Sequence, residues 1–202
     1  IIIPPGDYWQ KIRKMCDEYG IVLIVDEVMT GFGRTGRWFG IENFGVSPDM
    51  ITCAKGITSA YLPLGAVMVS RKITDVLDKR VLSCGATYSG HPVACAAGVA
   101  TLEFYEEEKV FENCMERSKT FVRRLQEMER KHPCVGDIRA IGLFGCIELV
   151  LDKKTRKPLV PFNAQGAANA PTNQIKKWLT EEGIFLFARW NQMFLSPPLV
   201  VQ

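Results

Sequence analysis

Two charged residues stand where reactive groups are most useful: Asp26, closing the apolar run Ile21-Val22-Leu23-Ile24-Val25, and Lys55, in Ile51-Thr52-Cys53-Ala54-Lys55-Gly56. Each follows a segment that reads as a buried strand, and open α/β sheets bind their ligands at the C-terminal ends of such strands. A carboxylate and an amine set there together can grip an aromatic cofactor from two sides. The chemistry that needs the pair is that of pyridoxal phosphate. The lysine forms a Schiff base with the aldehyde, and the aspartate keeps the pyridine nitrogen protonated so that the ring draws in electrons.

The elements that position this pair are read from periodicity and punctuation. From Asp7 to Tyr19 the side chains of Tyr8, Trp9, Ile12, Met15, Cys16 and Tyr19 share one helical face, with Tyr8 and Trp9 read as core, and Gly20 stops the helix. Ile21 to Val25 then reads as a wholly buried strand of the parallel kind. A glycine-rich loop runs from Thr30 to Gly45, Met50 to Cys53 forms a short strand, and Leu64 to Ser70 forms another. A helix near Ile73 to Lys79 and the loop Cys84-Gly85-Ala86-Thr87-Tyr88-Ser89-Gly90-His91 lead into a small-residue helix starting at Pro92. Its interior, Val93-Ala94-Cys95-Ala96-Ala97-Gly98, predicts close packing.

Beyond Glu106 the composition changes. Glu106-Glu107-Glu108-Lys109 opens a long charged amphipathic helix that ends near Lys131, with Pro133 just past it. Strands at Val135 to Ile138 and Gly142 to Leu151, a helix at Thr172 to Glu182, and strands at Ile184 to Ala188 and Met193 to Leu195 complete a small α+β region. Asp152 to Pro171 reads as a surface connection.

Composition sets the class: 202 residues, 47% hydrophobic and 23% charged, with a net charge of +3 spread along the chain, describe a globular enzyme. No basic block marks a nucleic acid or an anionic membrane as a partner. The seven cysteines show no C-x-x-C pair, and with only His91 and His132 beside them they make a poor zinc set, so no metal is expected. They read as buried free thiols of a reducing cytoplasm. Ile1-Ile2-Ile3-Pro4-Pro5 reads as the last residues of a buried strand leaving a sheet, which suggests that the chain starts inside a domain.

Gly31-Phe32-Gly33-Arg34-Thr35-Gly36 matches the dinucleotide fingerprint G-x-G-x-x-G letter for letter. That fingerprint must open a helix under a pyrophosphate, and the next stretch, Arg37 to Gly45, is broken by two glycines and closed by Pro48. No helix of useful length fits, so the glycines read instead as a tight excursion beside a ligand or a neighbouring subunit.

Six linked motifs carry a resemblance. Val25-Asp26-Glu27-Val28, Thr30 to Gly36, Pro48-Asp49, Ala54-Lys55-Gly56, Pro63-Leu64-Gly65-Ala66 and Thr87-Tyr88-Ser89-Gly90-His91-Pro92 resemble, in order and spacing, the class III (omega) aminotransferases of the fold-type I pyridoxal phosphate enzymes. A weaker likeness extends to Arg189 and Pro197-Pro198. The resemblance implies an α/β, three-layer fold of which this chain is the C-terminal half. Residues 1–107 would be the second half of the cofactor-binding large domain, and 108–202 the small α+β domain, incomplete at its C-terminus.

By position, the resemblance implies that Lys55 is the catalytic lysine that carries pyridoxal 5'-phosphate, that Asp26 pairs with its ring nitrogen, and that Val28 packs on one face of the ring. Thr87 would give its hydroxyl to the cofactor phosphate of the opposite subunit of a homodimer; alternatively it caps the turn before the Pro92 helix. Arg189 would bind a substrate carboxylate; alternatively it stacks on Trp190. Glu27 and Arg34 read as structural, and His91 as a helix-entry residue. The implied reaction moves an amino group from an omega-amino acid or amine to a keto acid such as pyruvate or 2-oxoglutarate. A non-catalytic segment serving as a packing or dimerisation partner, and a same-fold aminomutase or decarboxylase, are the alternatives.

Two positions depart from the family pattern. Many relatives carry glutamine at the place of Met29, where it bonds the cofactor's phenolic oxygen, and an apolar residue there tilts the reading towards amines and omega-amino acids. Ala60 replaces a common glycine and is expected to stiffen the loop behind Lys55. The family's N-terminal half supplies the phosphate-binding turn and the ring that stacks on the cofactor. A chain of just these residues is therefore expected to bind cofactor badly and to expose unpaired strand edges.

Overall fold

A computed structural model describes all 202 residues, which fold as two compact units, Pro4–Glu112 and Asn113–Gln202 with Ile1–Ile3. The first unit opens with helix α1 (Tyr8–Glu18), which Gly20 closes in the left-handed conformation at φ +65°. Three strands come next: β1 (Ile24–Asp26), β2 (Met50–Cys53) and β3 (Ala66–Val69), in that order across one sheet. β1 and β2 run parallel, with Asp26 opposite Thr52, and β3 is antiparallel to β2. Helix α2 (Arg71–Leu77) and helix α3 (Pro92–Glu107), with proline in its first turn, complete the unit.

One small core holds it. Cys16 of α1 packs with Leu23, Val25, Ile41 and Val46, and Trp9, Ile12, Phe39 and Ile51 close around them. Only one face of β1 meets this core, because successive strand residues point to opposite sides. Val25 is therefore buried while Ile24 is 55% exposed, and the expectation of a wholly buried run fails for Ile21, Val22 and Ile24. Tyr8 also departs from its expectation: it is 44% exposed, with its ring edge-on to Trp9 at 5.4 Å, whereas Trp9 packs against the cluster. Ile1–Ile3 form no strand, since no neighbour pairs with them, and Ile2 is exposed.

The expected long helix from Glu106 is two helices. Lys109, at φ +50°, turns the chain between the end of α3 and α4 (Val110–Lys131). The second unit then builds an antiparallel sheet from β4 (Val135–Ile141), β5 (Phe144–Asp152), a short β6 (Lys157–Pro158), β7 (Phe187–Arg189) and β8 (Gln192–Leu195), in the order β4-β5-β8-β7 with β6 on β5. Helix α5 (Ala170–Glu181) precedes β7. Asp152 to Pro171 is thus not wholly irregular, holding β6 and a short 3-10 turn at Gly166–Asn169.

Leu125 of α4 and Ile175 of α5 cover the same sheet face, against Val135, Ile138, Ile147, Leu149, Ala188 and Met193. Gly145 lets α4 approach: a Cβ there would lie 2.9 Å from the Phe121 ring. The cysteines divide. Cys16, Cys53, Cys114 and Cys146 are buried, and burial pushes the Cys53 thiol up, but Cys84, Cys95 and Cys134 are exposed, against the expectation of seven buried thiols. Those three lie on an exposed loop, on the uncovered side of α3 and at the end of the α4 connection, where nothing packs over them. No helix is long and apolar enough to cross a membrane.

Candidate active site

Because β1 and β2 are parallel, their chains leave the sheet at the same end, and this brings Asp26 and Lys55 to one place. Asp26 is the last residue of β1, and the Glu27 amide still donates to Thr52 O at 2.8 Å, so the two strands stay joined at their exit. Asp26 Oδ1 accepts the Val28 amide at 2.9 Å, a tight local turn that fixes the carboxyl plane and leaves Oδ2 without a partner.

Lys55 lies three residues beyond Thr52 and begins a 3-10 turn, Lys55–Thr58. Its φ of +47° is left-handed, and Ser59 and Ala60 share that region at +48° and +63°. Side-chain-bearing residues resist this conformation, and its occurrence at Lys55 marks a position that the surroundings hold in place. The side chain is exposed, and Nζ lies against Met29 Sδ, from the turn after β1.

The glycine-rich loop is the other half of that support. Gly33 and Gly36 take φ of +89° and +84°, which folds the loop back so that buried Phe32 rests on the lysine turn. A Cβ on Gly56 would lie 2.8 Å from Phe32 Cβ, so only glycine fits beside Lys55. The loop gives way to a five-residue 3-10 helix, Gly40–Phe44, and no α-helix starts there. The dinucleotide reading is thereby set aside on geometry. The amides of Gly40 and Ile41 donate to the two carboxylate oxygens of Glu27 at 2.8 and 2.7 Å, and the Thr30 hydroxyl donates to it as well. Glu27, 1% exposed, thus holds the loop rather than facing outward.

Two supporting residues were invisible in the sequence. The Tyr105 hydroxyl on α3 donates to Gly56 O at 2.8 Å and meets Ser59 Oγ at 2.9 Å, and the Thr58 hydroxyl donates to Leu62 O at 2.6 Å. Tyr105 acts across 49 residues of chain, and no local pattern records a contact of that span. Asp49 is a third fixed point. It accepts the Leu23 amide at 2.8 Å and also Arg13 and Lys72, and these bonds, with the Leu23 amide foremost, hold its carboxyl down at about 2 against the opposing effect of burial.

Thr87 lies in the exposed loop before α3, and its hydroxyl makes no hydrogen bond. It caps nothing: Ser89 Oγ accepts the Ala86 amide, and His91 stands at the helix entry without a side-chain bond. The second unit holds Arg189, the last residue of β7, with its guanidinium carbon 4.2 Å from the centre of the Trp190 ring. Trp190 and Asn191 form the two-residue turn into β8, since Arg189 pairs with Gln192. Trp190 has φ +54°, Thr172 Oγ1 donates to its carbonyl, and its ring meets Phe162 at 4.4 Å. Buried Asn191 donates to Glu148 Oε1 at 3.2 Å and Leu149 O at 3.3 Å, while Arg139 holds the other Glu148 oxygen at 2.8 Å.

The family model described as Aminotransferase class-III matches residues 1–202. The putrescine–pyruvate aminotransferase of Pseudomonas aeruginosa is 38% identical over 202 residues, which is all of this chain and 43% of that protein. The taurine–pyruvate aminotransferase of Bilophila wadsworthia is 37% identical over 187 residues, or 88% of this chain and 39% of the relative. Among solved structures, the taurine:2-oxoglutarate aminotransferase of Bifidobacterium kashiwanohense, in complex with PLP and glutamate, superposes with a TM-score of 0.95 at 44% identity, covering 100% of this chain and 45% of its own. The chain therefore spans less than half the length of the relatives it matches. With the whole of it matched by one family model and by relatives of one kind, the chain belongs to the class III aminotransferases.

Proposed function

We propose that this chain forms part of a pyridoxal phosphate-dependent aminotransferase that transfers an amino group from an omega-amino acid or amine to a keto acid such as pyruvate or 2-oxoglutarate. The observation that carries the reading is the common exit of two adjacent parallel strands, which delivers Asp26 and a backbone-strained Lys55 to one place. The residues fit the cofactor: Asp26 keeps one carboxylate oxygen free for a ring N–H, and Lys55 offers an accessible amine. When bound, pyridoxal phosphate supplies an electron sink for cleavage of a bond at the substrate carbon.

The chain's own groups divide the work by chemistry and position. Asp26 Oδ2 would hold the proton of the ring nitrogen, and Val28 would cover one face of the ring. Lys55 Nζ would hold the cofactor, and its free amine would move a proton at the substrate carbon. Thr87, with its hydroxyl free and exposed, would reach the phosphate held by the opposite subunit, which would make the working form a homodimer; the free thiols suit a reducing cytoplasm. Arg189 would take the carboxylate of the keto acid through its planar fork of donors. Met29 offers no hydrogen bond to the cofactor's phenolic oxygen, which favours amine and omega-amino donors.

Borohydride reduction in the presence of pyridoxal phosphate tests the assignment. Peptide mapping should place the cofactor on Lys55, and Lys55→Ala should remove the label entirely. Absence of label in the intact protein would leave the packing-partner reading in its place. Amino transfer to pyruvate or 2-oxoglutarate then separates the proposed reaction from an aminomutase or a decarboxylase, neither of which needs a keto acid.

A further inference from the structure

We infer that Trp190 is a positioning residue: its ring is the resting place of the Arg189 guanidinium when no carboxylate is bound, and so sets how strongly the site prefers substrates with a carboxylate over those without. The inference rests on the reading of Arg189 as the carboxylate-binding residue. Three observations lead to it. Arg189 has no acidic partner and instead lies over the Trp190 ring at 4.2 Å. The turn that carries the ring is fixed: Thr172 holds the Trp190 carbonyl and Asn191 ties the next residue to Glu148 and to the β5 backbone, while Phe162 flanks the indole. The backbone at Trp190 is left-handed at φ +54°, where a two-residue hairpin turn favours glycine and a bulky side chain is an outlier.

A strained tryptophan next to an arginine, in a turn that glycine would relax, calls for a use of the ring itself. An indole face attracts a guanidinium weakly when exposed, and the attraction is lost to a bidentate carboxylate, which offers two charge-assisted hydrogen bonds. The stack is thus strong enough to withdraw Arg189 from a site occupied by a substrate without a carboxylate and weak enough to release it to an acid. One arginine then serves two kinds of substrate, and the tryptophan sets the balance between them. A ligand can shift this balance only by its differential affinity for the two positions of the side chain.

The test compares Trp190→Gly, Trp190→Tyr and Arg189→Ala in the intact protein, with calorimetric binding of glutarate as a readout that needs no turnover and the KM for pyruvate and putrescine as a second. Glycine suits the turn, so Trp190→Gly is expected to keep the fold by circular dichroism. It should tighten glutarate binding about two- to five-fold, the range that an exposed cation–π contact represents. It should also lower the KM for pyruvate and raise that for putrescine, while Trp190→Tyr, which keeps an aromatic face, restores the parent behaviour. Unchanged or weaker glutarate binding in Trp190→Gly, or a shift of both KM values in the same direction, would overturn the inference. If Arg189→Ala itself leaves glutarate binding unchanged, the carboxylate reading fails first; if it weakens binding and Trp190→Gly has no effect, only the role of Trp190 falls.

Discussion

The two units of this chain are stabilised in opposite ways. Asn113–Gln202 closes one sheet face with two helices and ties the hairpin turns back to the strands through Asn191, Glu148 and Arg139. Pro4–Glu112 holds a three-stranded sheet whose outer strands, β1 and β3, each keep one unpaired edge, and Ile24 and Val67 are more than half exposed. Parallel strands are stable when both faces are covered, and here one small cluster covers one side. Yet the more open unit carries the amine and the carboxylate. Its precision comes from local polar anchors, Glu27, Tyr105 and Asp49, rather than from a large core. The pair is positioned by bonds to backbone groups, and the sheet surface beside it stays open.

Equivalent truncations in the two units give the sharpest test of that contrast. Leu149→Ala, in the core of the second unit, is expected to cost about 3 kcal/mol, whereas Ile24→Ala on the open strand should cost less than about 1 kcal/mol. Urea denaturation of both variants measures the difference, and equal costs would mean that β1 is buried in the native assembly.

Acid should act on the open unit through Asp49. Its carboxyl is held at about 2 in the folded state against an ordinary value of 3.8, so its contribution is complete above the ordinary value and disappears as pH falls from about 4 towards 2. The expected loss is about 2 kcal/mol. Asp49→Asn should be less stable at neutral pH and should flatten the stability profile over that interval; an unchanged profile would remove Asp49 from the anchors.

The smallest effect is a gain. Ala60 is exposed and left-handed at φ +63°, so Ala60→Gly should relieve strain and raise stability by about 0.5 to 1 kcal/mol. Thermal melting measures it. A loss instead would show that the stiff turn behind Lys55 is itself a stabilising element.

Much of the fold was legible because its signals are local. Met50–Cys53 falls where its bounding residues place a strand, Pro92 opens α3, and the glycines and Pro48 that forbid a helix after Gly36 are answered by a 3-10 turn. The departures have non-local causes. Exposure of Ile24 and Tyr8 depends on which surface packs against them, and the break at Lys109 depends on a backbone turn that charge pattern does not reveal. Glu27 reads correctly as structural, but its two amide partners lie 13 and 14 residues away and could not be named.

By itself the sequence determined the chemistry on offer: a carboxylate and an amine, each after an apolar strand, in a spacing that belongs to one family. The tertiary structure decided how they are used. Parallel pairing sent both strand ends to one side, a glycine at position 56 let Phe32 settle beside the lysine, and Lys55, Ala60 and Trp190 were driven into left-handed backbone. The sign of a backbone angle and the partner of a buried hydrogen bond are set by the sum of packing forces around them, and no window of sequence contains that sum.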